Sequence, residues 1–317
     1  MSLADPNMVT VSNTSNNLVL GRAGGVGVTL DETSVDCRFK AIGATGADGG
    51  CKLGATWCSQ DGKRWSAPRC FSTESWTPAY AWDTHNNVFV RVASFSVCCV
   101  FLSDAAHCHQ SPSNNGAPWV LMGRHKDSTY GRQAARATSP DFLHFGNMSL
   151  TIRGTLEEQI YATVGFTASS ASGRPSPARQ EDELFLGLSM VIHANNTGNY
   201  YTNRSLPGNP SELGDEVDVE LVMSTDTVSW ERVFPGQPFI PRGTQPEDPD
   251  RRLIYASKQP FAVNGSVLLY YAGNRNYHDA TEECRGCKGA LHPGGSLDLA
   301  RLRLGGSAIC TGWCSRC

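Results

Sequence analysis

The sequence predicts an all-β protein built as a β-propeller, and three observations predict it. A seven-residue phrase, S-x-D-x-x-x-aromatic, occurs three times: Ser59 to Trp65 (SQDGKRW), Ser139 to Phe145 (SPDFLHF) and Ser224 to Trp230 (STDTVSW), the copies starting 80 and 85 residues apart. Each copy follows a small-residue or alternating run, KLGATWC, RQAARAT or VDVELVM. The chain is also turn-rich, with 32 Gly and 17 Pro among 317 residues, and it contains no convincing long amphipathic helix. Ser and Asp turn a chain by bonding their own backbone, and an aromatic after the turn can plug the gap between two sheets. Regular repetition of a strand, a turn and an anchor is the signature of blades around an axis.

The elements follow in order. Residues 1–24 are polar and poorly patterned and read as an N-terminal segment or a ring-closing strand. The propeller domain covers 25–305. Its inner strands are expected at GVGVTL, NNVFV, QIYATVGF and LIYASKQPF, and its second strands at RFKAIGA, WVLMGRH, LFLGLSMVIH and VLLYYAGN. Third strands are the runs before each phrase, with SLDLARLRL as the fourth, where the phrase itself is lost. These runs are alternating, β-branched or aromatic and end at Gly, Pro, Asn or Asp, which favours strand over helix. Two segments interrupt the pattern. Residues 91–115 are longer than the connections compact domains prefer and read as an inserted loop or a translated intron. Residues 168–182 (ASSASGRPSPARQED) read as a Ser/Pro linker.

Composition excludes several functions. A formal charge of −3 and a pI near 6.2 give no basic field for nucleic acid or an anionic membrane. There is no apolar run long enough to span a bilayer. The glycine-rich GRAGGVG lacks the Lys-Ser/Thr and helix of a nucleotide loop, and no redox or nucleotide cofactor is implied. No G-x-S-x-G elbow is present for a serine nucleophile. Twelve cysteines, including Cys284-x-x-Cys287 and a C-terminal tail (306–317) with Cys310, Cys314 and Cys317, leave three readings open: disulfides, buried thiols, or a zinc site. Five Asn-x-Ser/Thr sequons, at Asn13, Asn147, Asn195, Asn203 and Asn264, are compatible with secretion and glycosylation, although Met1 opens no basic-then-apolar signal segment.

The stretches AWDTHNNVF (81–89), MGRHKDSTYGRQAARATSPDFLHF (122–145), DVELVMSTDTVSWERV with PFIPRG (218–243) and IYASKQPF with LLYYAGN (254–274) resemble the five-bladed propeller superfamily of glycoside hydrolases that holds invertases, levansucrases and arabinanases, in an uncharacterised branch of it. The resemblance implies five blades, so that either a blade precedes the visible four or the first 24 residues close the ring. It departs from the invertase pattern: W-M-N-D-P-N-G, R-D-P and E-C-P are not found in register, and Asp5-Pro6-Asn7 and Glu283-Cys284 are echoes in the wrong context.

The resemblance implies hydrolysis of a glycosidic bond in an oligo- or polysaccharide by paired carboxylates, about 5–5.5 Å apart for retention or about 6.5–9.5 Å for inversion. Residues entering the inner strands would face the central funnel. Asp83 is the candidate base or nucleophile, and Glu157 or Glu158 the general acid; being adjacent on a strand, only one of these two can reach the funnel. Arg124 and His125, at the end of a second strand, His85, and Glu247 in the PEDPD cluster would bind substrate, and Trp82, Tyr255 and Tyr271 would stack on sugar faces. The bland alternatives are a turn cap at Asp83, a structural ion pair at Arg124, and a solvated loop at Glu247, Asp248 and Asp250. Asp61, Asp141 and Asp226 repeat with the architecture and are assigned to turns. The competing class is a non-catalytic carbohydrate-binding or interaction propeller, or a truncated homologue.

Overall fold

The structure is a computed structural model that describes residues 23–31, 34–45, 51, 54–70, 72–73, 87–90, 119–127, 129–168, 184–194, 215–256, 260–264, 266–278 and 295–303. The first 22 residues, Trp82, Asp83 and His85, the segment 91–115, nearly all of 168–182 and the tail 306–317 lie outside them.

Alternating sequence runs become antiparallel meanders, one after another along the chain. The first sheet is β1 (Ala23–Leu30), β2 (Phe39–Thr45), β3 (Ala55–Ser59) and β4 (Arg69–Cys70), in that order. A two-residue β5 (Ser72–Thr73) precedes the second sheet, β6 (Asn87–Val90), β7 (Trp119–Asp127), β8 (Gly131–Ser139) and, after the short β9 (His144–Phe145), β10 (Ser149–Ile152). A third meander, β11 (Glu158–Thr167), β12 (Phe185–His193), β13 (Glu216–Ser224) and β14 (Glu231–Arg232), continues into a last group. That group is β15 (Leu253–Ala256), β16 (Phe261–Val263), β17 (Ser266–Asn274) and β18 (Gly295–Arg303), joined to β13 by a single parallel pair, Val217 with Leu253. The chain is all-β over its described residues, in the strand order the alternation predicts and consistent with a propeller-like arrangement.

Among the described residues, one expected strand is represented by two. LIYASKQPF becomes β15 and β16, both paired with the same edge of β17. Pro260 precedes β16, and a residue without an N–H cannot continue the ladder.

The repeated phrase builds the same turn three times. Ser59, Ser139 and Ser224 each hydrogen-bond the carboxylate two residues on (3.2, 3.1 and 3.0 Å). That carboxylate accepts two backbone N–H groups: Lys63 and Arg64 on Asp61, Leu143 and His144 on Asp141, Val228 and Ser229 on Asp226, all at 2.7–2.9 Å. These N–H groups hold the Asp61 carboxyl below its ordinary range, and at Asp226 they outweigh the opposing effect of burial. The residue after each Asp is left-handed: Gly62 (φ 72°), Phe142 (66°) and Thr227 (66°). Only glycine adopts that conformation without cost, so Phe142 and Thr227 are held there by the surrounding bonds.

In the second and third phrases the closing aromatic packs between sheets. Trp230 donates Nε1 to the Thr227 carbonyl at 2.9 Å and joins Val120, Met122, Ala134 and Ile152 of the second sheet to Ile160, Phe185 and Val222 of the third. Phe145 does the same one sheet earlier, with Ile42 of the first sheet and Trp119, Leu121 and Phe142 of the second. The third core, Leu188, Met190, Ile192, Val217, Val219, Ile254 and Leu269, lies between the third meander and the last group. Two disulfides, Cys37–Cys58 and Cys51–Cys70, staple the first sheet, where spacing alone left the cysteines open.

Candidate functional site

Strand β13 reads E-V-D-V-E-L-V-M-S, and period-two pleating puts Glu216, Asp218 and Glu220 on one face. The register sets Glu158 of β11 opposite His193 of β12, and His193 opposite Glu216, so these share that face. Three arginines from downstream segments meet the column. Arg232 of β14 donates Nε and Nη2 to the two oxygens of Glu220 (2.6 and 2.7 Å) and the same Nη2 to Glu158 (2.8 Å). Arg242 donates to Asp218 at 2.6 Å and also pairs with Glu216, whose other oxygen takes Arg252. Glu220 is 1% exposed and accepts the Gly236 N–H as well, so its bonds are those of a buried brace.

His193 Nε2 lies 2.8 Å from Asp218 Oδ2. That bond pushes the imidazole up from its ordinary value, with burial opposing. Burial would raise the Asp218 carboxyl, but His193 and Arg242 outweigh it and hold it below the carboxylate range. The Glu158 side chain is 34% exposed, the most open carboxylate of the arginine-bound set.

Along β11 the register with β12 slips between Ile160 and Ala162, leaving Tyr161 as the bulged residue. A bulge re-aims its side chain. The Tyr161 ring meets Tyr255 (5.7 Å between centroids) and His278 (5.0 Å, edge on), and the guanidinium carbons of Arg124 and Arg132 stand 4.7 and 5.6 Å from it. Arg124, 4% exposed, also donates Nε to the Tyr161 carbonyl at 3.3 Å. Gly131, at the β7–β8 turn with φ 76°, allows the close approach of Gln159, whose side chain accepts the Arg132 N–H. The aromatic patch and the carboxylate column meet at neighbouring residues. The His278 ring packs on Tyr161 and its backbone N–H donates to the Asp215 carbonyl, while Tyr277 lies under Arg252, 4.3 Å from its guanidinium carbon.

The residues expected from sequence distribute as follows. Glu158, Arg124 and Tyr255 come into this region. Glu157 is exposed, one residue before β11. His125 is exposed near the end of β7. Glu247 is exposed in a turn where Asp248 accepts the Gln245 N–H at 2.8 Å. Asp250 accepts the Tyr271 hydroxyl at 3.0 Å, and burial with that charge pushes the hydroxyl up. Tyr271 pairs with Ala256 and Tyr255 with Ala272, so the two tyrosines project from opposite faces of their sheet and do not line one sugar face. Trp82, Asp83 and His85 lie outside the described residues. Sequence reasoning took VDVELVM only as a strand and missed its carboxylates; the E-V-D-V-E alternation was the available signal. Among the described residues there is no group of three or more His, Cys, Asp or Glu that could hold a metal ion.

No family model matches the sequence, and no curated protein matches it. Solved structures similar to this chain include a putative glycoside hydrolase from Bacteroides ovatus, at 11% identity and TM-score 0.47 over 93% of this chain and 72% of that one. Another is a putative glycosidase from Bacteroides thetaiotaomicron, at 12% identity and TM-score 0.44 over 80% and 62%. A third is an N-acetylgalactosamine deacetylase from F. plautii, at 12% identity and TM-score 0.36 over 82% and 83%.

Proposed function

We propose that this protein is a glycoside hydrolase of the five-bladed propeller type, acting on an oligo- or polysaccharide, with Glu158 as one carboxylate of its hydrolytic pair and Asp83 as the other. The observation that carries this reading is the placement of Glu158. It is a partly exposed carboxylate, fixed by the buried Arg232–Glu220 brace, at the start of the inner strand that three residues later bulges to present Tyr161. Glycosidic cleavage needs a carboxylate held in place beside a surface that takes a sugar ring. Tyr161 and Tyr255 supply apolar faces for the ring, and Arg124, Arg132 and His278 supply donors around them. Arg124 and Tyr255 are the binding residues of this reading. Arg232 and Glu220 act through Glu158 and are positioning residues.

A second reading, glycan binding without turnover, is favoured by one observation: Glu216, Asp218 and Glu220 are each bonded to an arginine. The two readings separate on a panel of fructans, arabinans and other plant or algal polysaccharides, assayed with wild type and Asp83→Asn. Turnover by wild type that disappears in the variant while binding persists supports the enzyme. Binding by both with turnover by neither supports the second reading.

A further inference from the structure

Among the described residues, one face of the last group of strands carries exposed apolar side chains. Phe261 pairs with Leu268 and Val263 with Ser266, while Tyr270 pairs with Leu299 and Ala272 with Leu297, so these side chains share a face of β16–β17–β18. The opposite face buries Leu269 and Ala300 in the core. On this face Phe261 is 38% exposed and Tyr270 42%, and their rings stack at 5.8 Å with 27° between planes. An exposed aromatic pair continued by Leu297 and Leu299 is more apolar surface than scattered side chains would give, and calls for an occupant.

A sequon ends on this face. Asn264 and Ser266 stand two apart at the β16–β17 hairpin; Asn264 is exposed at φ 47°, the left-handed geometry of a turn apex. It follows Phe261 by three residues. The other sequon among the described residues differs: Asn147 is also exposed, but its nearest preceding aromatic, Phe145, is 2% exposed and committed to the core. Two disulfides in the first sheet fit the oxidising compartment in which sequons are used.

From this placement we infer that Asn264 carries an N-linked glycan whose first sugar packs on the Phe261–Tyr270 stack. The transfer needs a lipid diphosphate-linked oligosaccharide and its membrane transferase. The Asn264 side-chain nitrogen forms a bond to the sugar's anomeric carbon and loses a proton, and the carbon–oxygen bond to the lipid diphosphate breaks with its electron pair leaving on the diphosphate. The apolar face of the attached N-acetylhexosamine then covers the ring of Phe261, as sugar faces cover aromatic side chains in binding sites.

The test is production of the full chain through a eukaryotic secretory pathway, peptide mass spectrometry at position 264, and thermal unfolding after trimming every glycan to its first sugar. The peptide is expected to be occupied, and Asn264→Gln to lose one glycan-sized step in gel mobility. The trimmed wild type is expected to melt about 2 °C or more above trimmed Asn264→Gln. With Phe261→Ala as background the occupancy persists and that difference disappears. An unmodified Asn264 in the secreted protein, a chain retained without sugar at 264, or a melting difference that survives Phe261→Ala would each overturn the inference.

Discussion

Replacing Trp230 by Ala tests whether the repeated phrase works by plugging one sheet into the next. Trp230 is 8% exposed and touches the apolar faces of two sheets. An indole buries roughly 150–250 Å², which at about 25 cal/mol per Å² corresponds to roughly 4–6 kcal/mol. Incomplete exposure in the unfolded chain trims that figure by about 10–40%. Losing the Nε1 bond to the Thr227 carbonyl adds about 1 kcal/mol. The expected loss is therefore about 4 kcal/mol, within the range for Trp to Ala in a core. In urea, at a slope of about 3 kcal/mol per molar, the midpoint falls by roughly 1.3 M. Trp65, the equivalent residue of the first sheet, is only partly buried, against Ala41, Ala55 and Trp57, and Trp65→Ala is expected to cost clearly less. A Trp230→Ala midpoint within about 0.3 M of wild type at unchanged slope, a loss of under about 1 kcal/mol, would refute the plug.

Two further predictions concern the charged column. Arg232→Met leaves Glu220, 1% exposed, without its guanidinium, and is expected to cost about 3–5 kcal/mol in urea unfolding. The double variant with Glu220→Gln should recover part of that loss, and a double variant no more stable than Arg232→Met would show that the two do not act as a pair. The His193–Asp218 pair gives a pH dependence of defined sign. His193 is pushed up, so its contribution is full below its ordinary value near 6.5 and is lost as pH rises through the folded value. Asp218 is held down, so its contribution is present above the ordinary carboxylate range and is lost as pH falls through the folded value. The stability gap between wild type and His193→Gln should therefore be widest between about pH 4 and 6.5 and narrow towards pH 9, as read by unfolding midpoints. A gap that widens with rising pH would contradict the bridge.

The strands were legible because each carries its own alternation, and the turns because Ser and Asp in S-x-D bond locally, at Ser59, Ser139 and Ser224 alike. What escaped sequence reading depends on partners distant in the chain. Glu220, Asp218 and Glu216 find arginines 12, 24 and 36 residues downstream, and strand alternation shows which face they share but not what meets them. Tyr161 looks like any strand tyrosine until the slipped register against β12 makes it a bulge. The left-handed residue is a glycine in the first phrase, Gly62, but was hidden in the other two because Phe142 and Thr227 occupy that position. Phe142 is placed there by its ring, 5.0 Å from Trp119 in edge contact, a tertiary demand that overrides local preference. Of the candidate site, Glu158, Arg124 and Tyr255 were readable as strand-entry or strand-end residues, whereas Arg232, Tyr161 and His278 had no local signature.

The most direct measurement is glycan hydrolysis by wild type and Glu158→Gln across the same polysaccharide panel, with binding followed by calorimetry on each substrate cleaved. Gln keeps the shape of the side chain and can still accept from Arg232, so the fold and the Tyr161 patch are preserved. If Glu158 is one of the hydrolytic carboxylates, turnover falls by a factor of at least about 10², the low end of what a positioned acid or base supplies, while binding stays within a few-fold of wild type. Wild-type turnover that survives in Glu158→Gln would contradict the assignment of this strand entrance as the catalytic centre.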